Sequence, residues 1–336
     1  MTVTDNLVSY YAYAPSHALP IVFAALIGIS WLLQIVQNLS PISFLESNIL
    51  HDLGGLVFMS GWIMRTVSSY HTANLAFYSA QYVLILCGPP IYSAAEYNIL
   101  GRLMHYLPMH APLNPSRVIY FFIYLGAAVE GLTAAGAAKQ STAKGDQEKL
   151  RSGQNLVIVG LILQAVVETL FITMVALMHY RTAVANMLTK NVRNVCIMLY
   201  GTSTLVLLRC VCRAVEGFAV KQALDSTTCK STCNNVLRHE WFLYAFEAAP
   251  MVLYTFWLNF MHPGRLLPRN TNCYLDSEKI ERSGPGWIEK RSSWMTFIDL
   301  FDVAGTGHEK FWLKPDDWPI VGSGSNEREK STNVKK

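Results

Sequence analysis

The chain has 336 residues, of which 51% are hydrophobic and 15% charged, with 27 Lys and Arg against 23 Asp and Glu. A soluble domain carries about 25% charged residues, so this deficit, with a mean hydropathy of +0.25, excludes an average soluble domain and points to a polytopic membrane protein. The net charge of +4 is small, which leaves a nucleic-acid partner without support.

Residues 1–17 hold no basic residue and include the element Tyr10-Tyr11-Ala12-Tyr13-Ala14-Pro15-Ser16. The first apolar run, 18–37, follows it. Without a positive flank it reads as a retained span, with tyrosines at the interface, and not as a cleaved signal peptide. The second run, 49–67, carries His51 and Asp52 near its start and ends in Gly61-Trp62-Ile63-Met64-Arg65. The third, 75–100, holds Gln81, is interrupted at Cys87-Gly88-Pro89-Pro90, and closes on Glu96 to Arg102. Two consecutive prolines predict a kink, and the His- and Pro-rich stretch 104–115 predicts a loop. The fourth run, 118–138, has Glu130 in its middle and a stripe of Gly and Ala residues. Such a stripe lets helices approach closely in lipid and permits a homodimer without demanding one. A hydrophilic loop, 139–153, leads to the fifth run, 156–180, with Gln164 and Glu168; a basic loop, 181–193, precedes the sixth, 195–220; the seventh is 240–261.

Each run meets or approaches the ~20 residues that cross ~30 Å of hydrocarbon as a helix, and lipid leaves a helix as the only structure that satisfies the backbone within such a run. The fold expected is all-α: one membrane domain of seven transmembrane helices over 18–262, an extracytoplasmic N-terminus at 1–17, and a cytosolic tail at 263–336. Basic residues in the short loops alone favour the N-terminus inside, and Arg265, Arg269, Lys279 and Arg282 beside the last span roughly balance the count. The unflanked first span favours the N-terminus outside. In the tail, Trp294, Phe297, Ile298 and Phe301 recur at helical spacing, so 287–303 reads as an interfacial helix. Beyond 322 the composition is that of disorder.

The sixth and seventh runs carry charges where charges are costly. Arg209, Arg213 and Glu216 are spaced i, i+4, i+7, and so are Glu240, Tyr244 and Glu247, which places each trio on one helix face. In an antiparallel hairpin Glu216 would meet Glu240 near the loop, Arg209 would meet Glu247 about 10 Å deeper, and Arg213 would lie level with Tyr244. Ionisable groups inside a span cost roughly 2.5–3.5 kcal/mol or more each, so they stay paired or do something. One reading is an ion-pair network that fixes the two helices together. The other is one wall of a lipid headgroup path, whose two cations and three anions leave a net negative charge suited to an amine.

Other polar groups inside the runs are Arg65, Gln81, Glu96, Arg102, Glu130, Gln164 and Glu168. Glu96 and Arg102 are six positions apart and are expected to pair with other helices or with the interface. Glu130 and Glu168 are single acids in mid-span. Each reads either as a neutral carboxyl hydrogen-bonded to a neighbouring helix or as a proton-coupling group. Cys229 and Cys233 share the loop of the charged hairpin and could form a disulfide if that loop is extracytoplasmic. The histidines are scattered, so His51 and Asp52 lack the convergent ligands that zinc hydrolysis needs. No metal, cofactor or catalytic residue is expected.

Taken as an ordered set, these segments resemble the fungal lipid-translocating exporter family, which includes aminocholesterol-resistance proteins and sphingoid long-chain-base exporters. The resemblance is carried by Tyr13-Ala14-Pro15-Ser16, by Gly61 to Arg65, by Gln81, Ala94-Ala95, Tyr97 and Leu100-Gly101-Arg102, and by Gly160 to Gln164. It continues in Arg209, Arg213 and Glu216, in Glu240, Tyr244 and Pro250-Met251, and in His262-Pro263-Gly264. It covers roughly residues 10–268. The fourth span departs from it: Gly126 and Thr133 stand where the family usually has Asp and Gln, and the family's acid in the seventh span is Glu247. The resemblance implies a plasma-membrane protein with the N-terminus outside. It also implies movement of membrane lipids or lipid-like amines, sphingoid bases above all, and no enzymatic activity. A seven-helix sensor or regulator of lipid asymmetry fits the same layout.

Overall fold

A computed structural model describes residues 11, 13–38, 45–143, 146–225, 239–268, 270–287 and 311–321. Seven long helices dominate these described residues. They are α1 (Ala18–Asn38), α2 (Leu45–Tyr70), α3 (Leu75–Tyr106), α4 (Pro115–Ser141), α5 (Gln147–Val184), α6 (Lys190–Asp225) and α7. The last runs through Trp241–Leu243, a π-helical turn at Tyr244–Ala248, and Ala249–Phe260. Each helix packs on the next, α7 closes the ring against α1, and α3 reaches inward to α5 and α6. The chain is an all-α polytopic membrane protein. Five of its helices, α1, α3, α4, α5 and α6, are long and apolar enough to cross a membrane by length and composition. Their outward faces are apolar: Leu32 and Val36 on α1 are 57% and 67% exposed, a surface made for acyl chains and costly in water.

Several helices run past their apolar runs because polar residues cap them. Asp146 Oδ1 accepts hydrogen bonds from the amides of Glu148 and Lys149, so α5 begins at Gln147 and most of the expected 139–153 loop is helix. Those amides, Lys149 first, hold the Asp146 carboxyl below the usual range. The cap is therefore complete above the ordinary carboxylate pKa and is lost as pH falls through the lowered one. Asn114 caps α4 in the same way, with Pro115 in its first turn, and the 104–115 stretch is helical as far as Tyr106. Helix α3 continues through Pro89 and Pro90.

Close backbone approach is bought with glycine. A Cβ on Gly61 of α2 would lie 2.9 Å from the backbone nitrogen of Ile85 on α3. Of the small-residue stripe of α4, Gly136 faces α5, where an added Cβ would meet the Gly153 carbonyl oxygen at 2.8 Å, while Gly131 lies exposed. Beyond α7 the tail contains an unexpected two-stranded antiparallel hairpin, β1 (Cys273–Leu275) with β2 (Glu281–Ser283), docked under α3. Tyr106 of α3 donates to Glu281 at 2.9 Å, and Arg102 to the Pro268 carbonyl at 2.9 Å. The expected interfacial helix falls on residues 288–303 after Trp287, outside the described residues, as do Cys229 and Cys233.

Because a backbone atom cannot rotate away, Gly61→Val is expected to lower stability by about 1–3 kcal/mol, read as an earlier melt of the detergent-solubilised protein. Gly131→Val, where nothing lies within 4 Å of the added carbon, is expected to melt with the native chain. Equal melting of the two variants would contradict this packing.

Candidate functional site

The charged residues form two sets. In the first, α6 meets α7. Arg209 Nε and Nη2 both lie 2.7 Å from Glu247 Oε1, with the two side chains 0% and 1% exposed. Arg213 Nε is 3.2 Å from Glu247 Oε2, and its Nη1 donates to Glu216 at 2.7 Å. The local backbone explains part of this placement. Pro250 has no N–H to give the preceding turn, and the chain responds with a π-helical turn in which the Ala249 amide bonds Tyr244. Glu247 sits inside that turn. On α3, Pro89 leaves the Ile85 carbonyl without its helical donor, and Arg209 Nη2 reaches that oxygen at 3.5 Å. One guanidinium thus ties α6 to both α7 and α3.

The second set joins α2, α7 and the N-terminal segment. Arg65 Nη2 is 2.9 Å from Glu240 Oε1 and 2.9 Å from the Tyr13 hydroxyl oxygen, while Nη1 donates to Gln81 at 3.3 Å. The guanidinium lies 4.9 Å from the centre of the Tyr11 ring, within cation–π range. Glu240 also accepts from the Ser16 amide at 2.7 Å and from the Tyr244 hydroxyl at 2.9 Å. Burial is the first cause that raises the Tyr13 phenol above its usual range, so it remains a neutral hydroxyl for Arg65 to donate to. The tyrosine-rich N-terminal element is thereby a strap across one end of the bundle.

These contacts bear out one expected meeting and correct another. Arg209 meets Glu247. Glu216 does not meet Glu240: Arg65, on a different helix, takes Glu240, and Glu216 stays with Arg213. The Arg213 guanidinium lies 5.7 Å from the Tyr82 ring centre. With Arg65 included, three arginines face three glutamates, and the expected net negative charge of the cluster becomes zero. Between α6 and α7 lies a cavity of about 150 Å³, lined by the apolar Val211, Val215, Phe242 and Phe246 and by Arg213, Glu216 and Glu247. Val211 and Val215 are half-exposed.

A third polar group lies deeper. Glu96 accepts from Ser203 of α6 at 2.8 Å, and Glu168 from Ser93 of α3 at 2.6 Å and from Tyr97 at 3.4 Å. Glu130 and Gln164 line a second cavity of about 20 Å³ with Ser93 and Tyr97. His51 stacks on Tyr254, and Asp52 accepts from Asn38 at 2.9 Å. Tyr13, Ser16, Tyr82, Ser93 and Ser203 were not singled out by sequence reasoning for these contacts. Counting charge could have found the partner of Glu240, since three anions on two spans call for a third cation.

Residues 52–270 match the family model described as RTA1 like protein. The chain belongs to this RTA1-like family. Among its relatives, a lipid-translocating exporter-like protein RTA1 of Leptosphaeria maculans is 34% identical over 83% of this chain and 55% of its own length. Protein RTM1 of Saccharomyces cerevisiae is 29% identical over 60% of this chain and 62% of its own. A second lipid-translocating exporter-like protein RTA1, from Ajellomyces capsulatus, is 26% identical over 78% of this chain and 84% of its own. The chain thus spans between half and two thirds of the length of the first two. No solved structure matches. Both charged sets lie within the matched stretch, except for the strap residues Tyr11, Tyr13 and Ser16.

Lysine in place of Arg65 keeps the charge but not the fork that engages Tyr13, Gln81 and Glu240 together. Arg65→Lys is expected to loosen the strap at a cost of about 1–3 kcal/mol, seen as faster limited proteolysis at residues 11–17. Native proteolysis rates in that variant would show that the strap is held by something else.

Proposed function

We propose that this RTA1-like protein moves amphiphilic lipids between leaflets or out of the cell, and that its substrates are lipid-like amines of the sphingoid-base class. The observation that carries this reading is the cavity between α6 and α7. Its lining combines half-exposed apolar side chains with an arginine and two glutamates, the chemistry that an amphiphile with an ionised headgroup requires. The relatives named as lipid-translocating exporter-like support it. The amine preference rests on Glu216. Its Oε2 holds Arg213 at 2.7 Å, but its side chain is 32% exposed, so it is the acid of this wall most accessible to an incoming ammonium, while Glu247, 1% exposed, is enclosed by Arg209 and Arg213. We infer a plasma-membrane setting with the N-terminus outside and the tail in the cytosol, which puts the strap and the cavity toward the outer leaflet. The charge balance of zero no longer selects a cation by itself; the exposed acid does.

One observation favours a second reading. The Arg209–Glu247 pair stands beneath the cavity with both side chains 1% exposed or less, so the site has a closed floor. A sensor or regulator of lipid asymmetry would bind the same amphiphile there without passing it.

Proteoliposomes containing the full chain and a labelled sphingoid base separate the two. Flux above empty liposomes is expected. Val215→Trp, which fills the cavity mouth from a residue 52% exposed, is expected to reduce that flux by about tenfold or more, an effect of ~1.4 kcal/mol. Binding without flux in the native chain would favour the sensor, and full flux in Val215→Trp would remove the cavity from the path.

A further inference from the structure

Glu96 on α3 and Glu168 on α5 are both fully buried in the middle of the bundle. Helical spacing puts Ser93, Glu96 and Tyr97 on one face of α3. Ser93 and Tyr97 turn to Glu168, while Glu96 turns to Ser203, so one turn of α3 holds both acids near each other. Among the described residues neither acid has a cation as its partner, and each leaves one buried oxygen, Glu96 Oε1 and Glu168 Oε2, without a hydrogen bond. Two uncompensated anions at this depth would cost several kcal/mol each. The second observation is spatial. The 20 Å³ cavity borders the same Ser93 and Tyr97 and reaches Glu130 on α4, and a space of this size holds one water. A buried carboxyl pair, hydroxyl donors and a water-sized space leading to a third, half-buried acid form a chain of groups that can pass a proton.

We propose that Glu96 and Glu168 form a proton-binding pair, loaded by way of Glu130, and that proton exchange at this pair drives the lipid movement proposed above. The step forms and breaks only O–H bonds. A proton from water reaches a Glu130 carboxylate, passes through the water-sized space to Glu168, and is shared with Glu96. It leaves to water on the other side of the membrane when the bundle changes conformation. The groups that face the pair are Tyr97 on its own helix, Cys210 on α6, and Tyr254 on α7, on which His51 of α2 stacks; the neighbours of Glu130 on α4 are Cys87 of α3 and Arg209 of α6. Arg209, the cation among them, is engaged by Glu247. Pro90 borders the cavity one turn before Ser93, in a stretch of α3 where two helical hydrogen bonds are missing and bending is easiest.

This proposal rests on the transport reading, and the test separates the two. Flux of labelled sphingoid base into proteoliposomes is measured with pH gradients of either sign and with a sodium gradient at equal pH. Steady accumulation is expected to shift by about tenfold for a gradient of about one pH unit, the driving force that one coupled proton supplies. It is expected to ignore sodium. Glu168→Gln and Glu96→Gln, which keep a hydrogen-bonding side chain, are expected to lose that dependence while melting near the native temperature. Native flux that ignores pH, or follows sodium, overturns the proposal and leaves transport standing. If no flux is seen, transport falls, and infrared spectra of the purified chain decide the pair. A protonated-carboxyl band that is lost in both variants supports it, and the absence of such a band overturns it.

Discussion

The pairing of guanidinium with carboxylate inside an apolar bundle is the constraint on which the rest of this structure depends. Arg209 and Glu247 are at most 1% exposed, and neither can be solvated where it stands. Arg209 must therefore lie against Glu247, which holds α6 to α7 in one register. The same guanidinium reaches the Ile85 oxygen that Pro89 leaves open, so α3 is placed by it as well. At the end of the bundle where α2 and α7 meet, Arg65 does for α2, α7 and the N-terminal strap what Arg209 does for α3, α6 and α7. Helices without a hydrophobic drive to associate in lipid are held by such contacts and by close packing, here at Gly61 and Gly136.

These features give the protein a graded interior. Charge is balanced near the strap, three arginines against three glutamates, and the one acid of the cavity wall with appreciable exposure is Glu216. Deeper, the polar groups are carboxyls and hydroxyls without cations as partners, around Glu96 and Glu168. An amphiphile that enters between α6 and α7 therefore meets a neutral, paired surface first, and the unpaired acids lie on the far side of the Arg209 layer. This order suits a device in which headgroup binding and proton binding are separate events linked through α3, which touches both.

Much of this was legible in the sequence. The seven helices follow from apolar length, and the Arg209–Glu247 contact follows from two trios at i, i+4, i+7 on consecutive antiparallel spans. Glu240 was misplaced because only neighbouring spans were paired. The second span ends and the seventh begins on the same side, so Arg65 was available to it from the alternation of spans alone. Helix ends were underdrawn because hydropathy stops where lipid stops, whereas Asp146 and Asn114 let the helices continue into the polar layer. The hairpin under α3 left little trace, since its strands are three residues each and its anchors, Arg102 and Tyr106, belong to a helix. The hydroxyls that serve Glu96 and Glu168 come from two helices, α3 and α6, and no spacing rule within one span reveals such a meeting.

The account stands or falls on whether Arg209 and Glu247 are one unit, and a double-mutant cycle on melting measures that directly. Glu247→Met leaves Arg209 as an unpaired buried charge and is expected to cost about 3–5 kcal/mol; Arg209→Met, which leaves Glu247 with Arg213 alone, is expected to cost less; and the double variant, with both charges gone and Arg213 still held by Glu216, recovers most of the loss. Additive losses, with the double variant as unstable as the two single changes combined, would show that the two side chains act apart and would contradict the account.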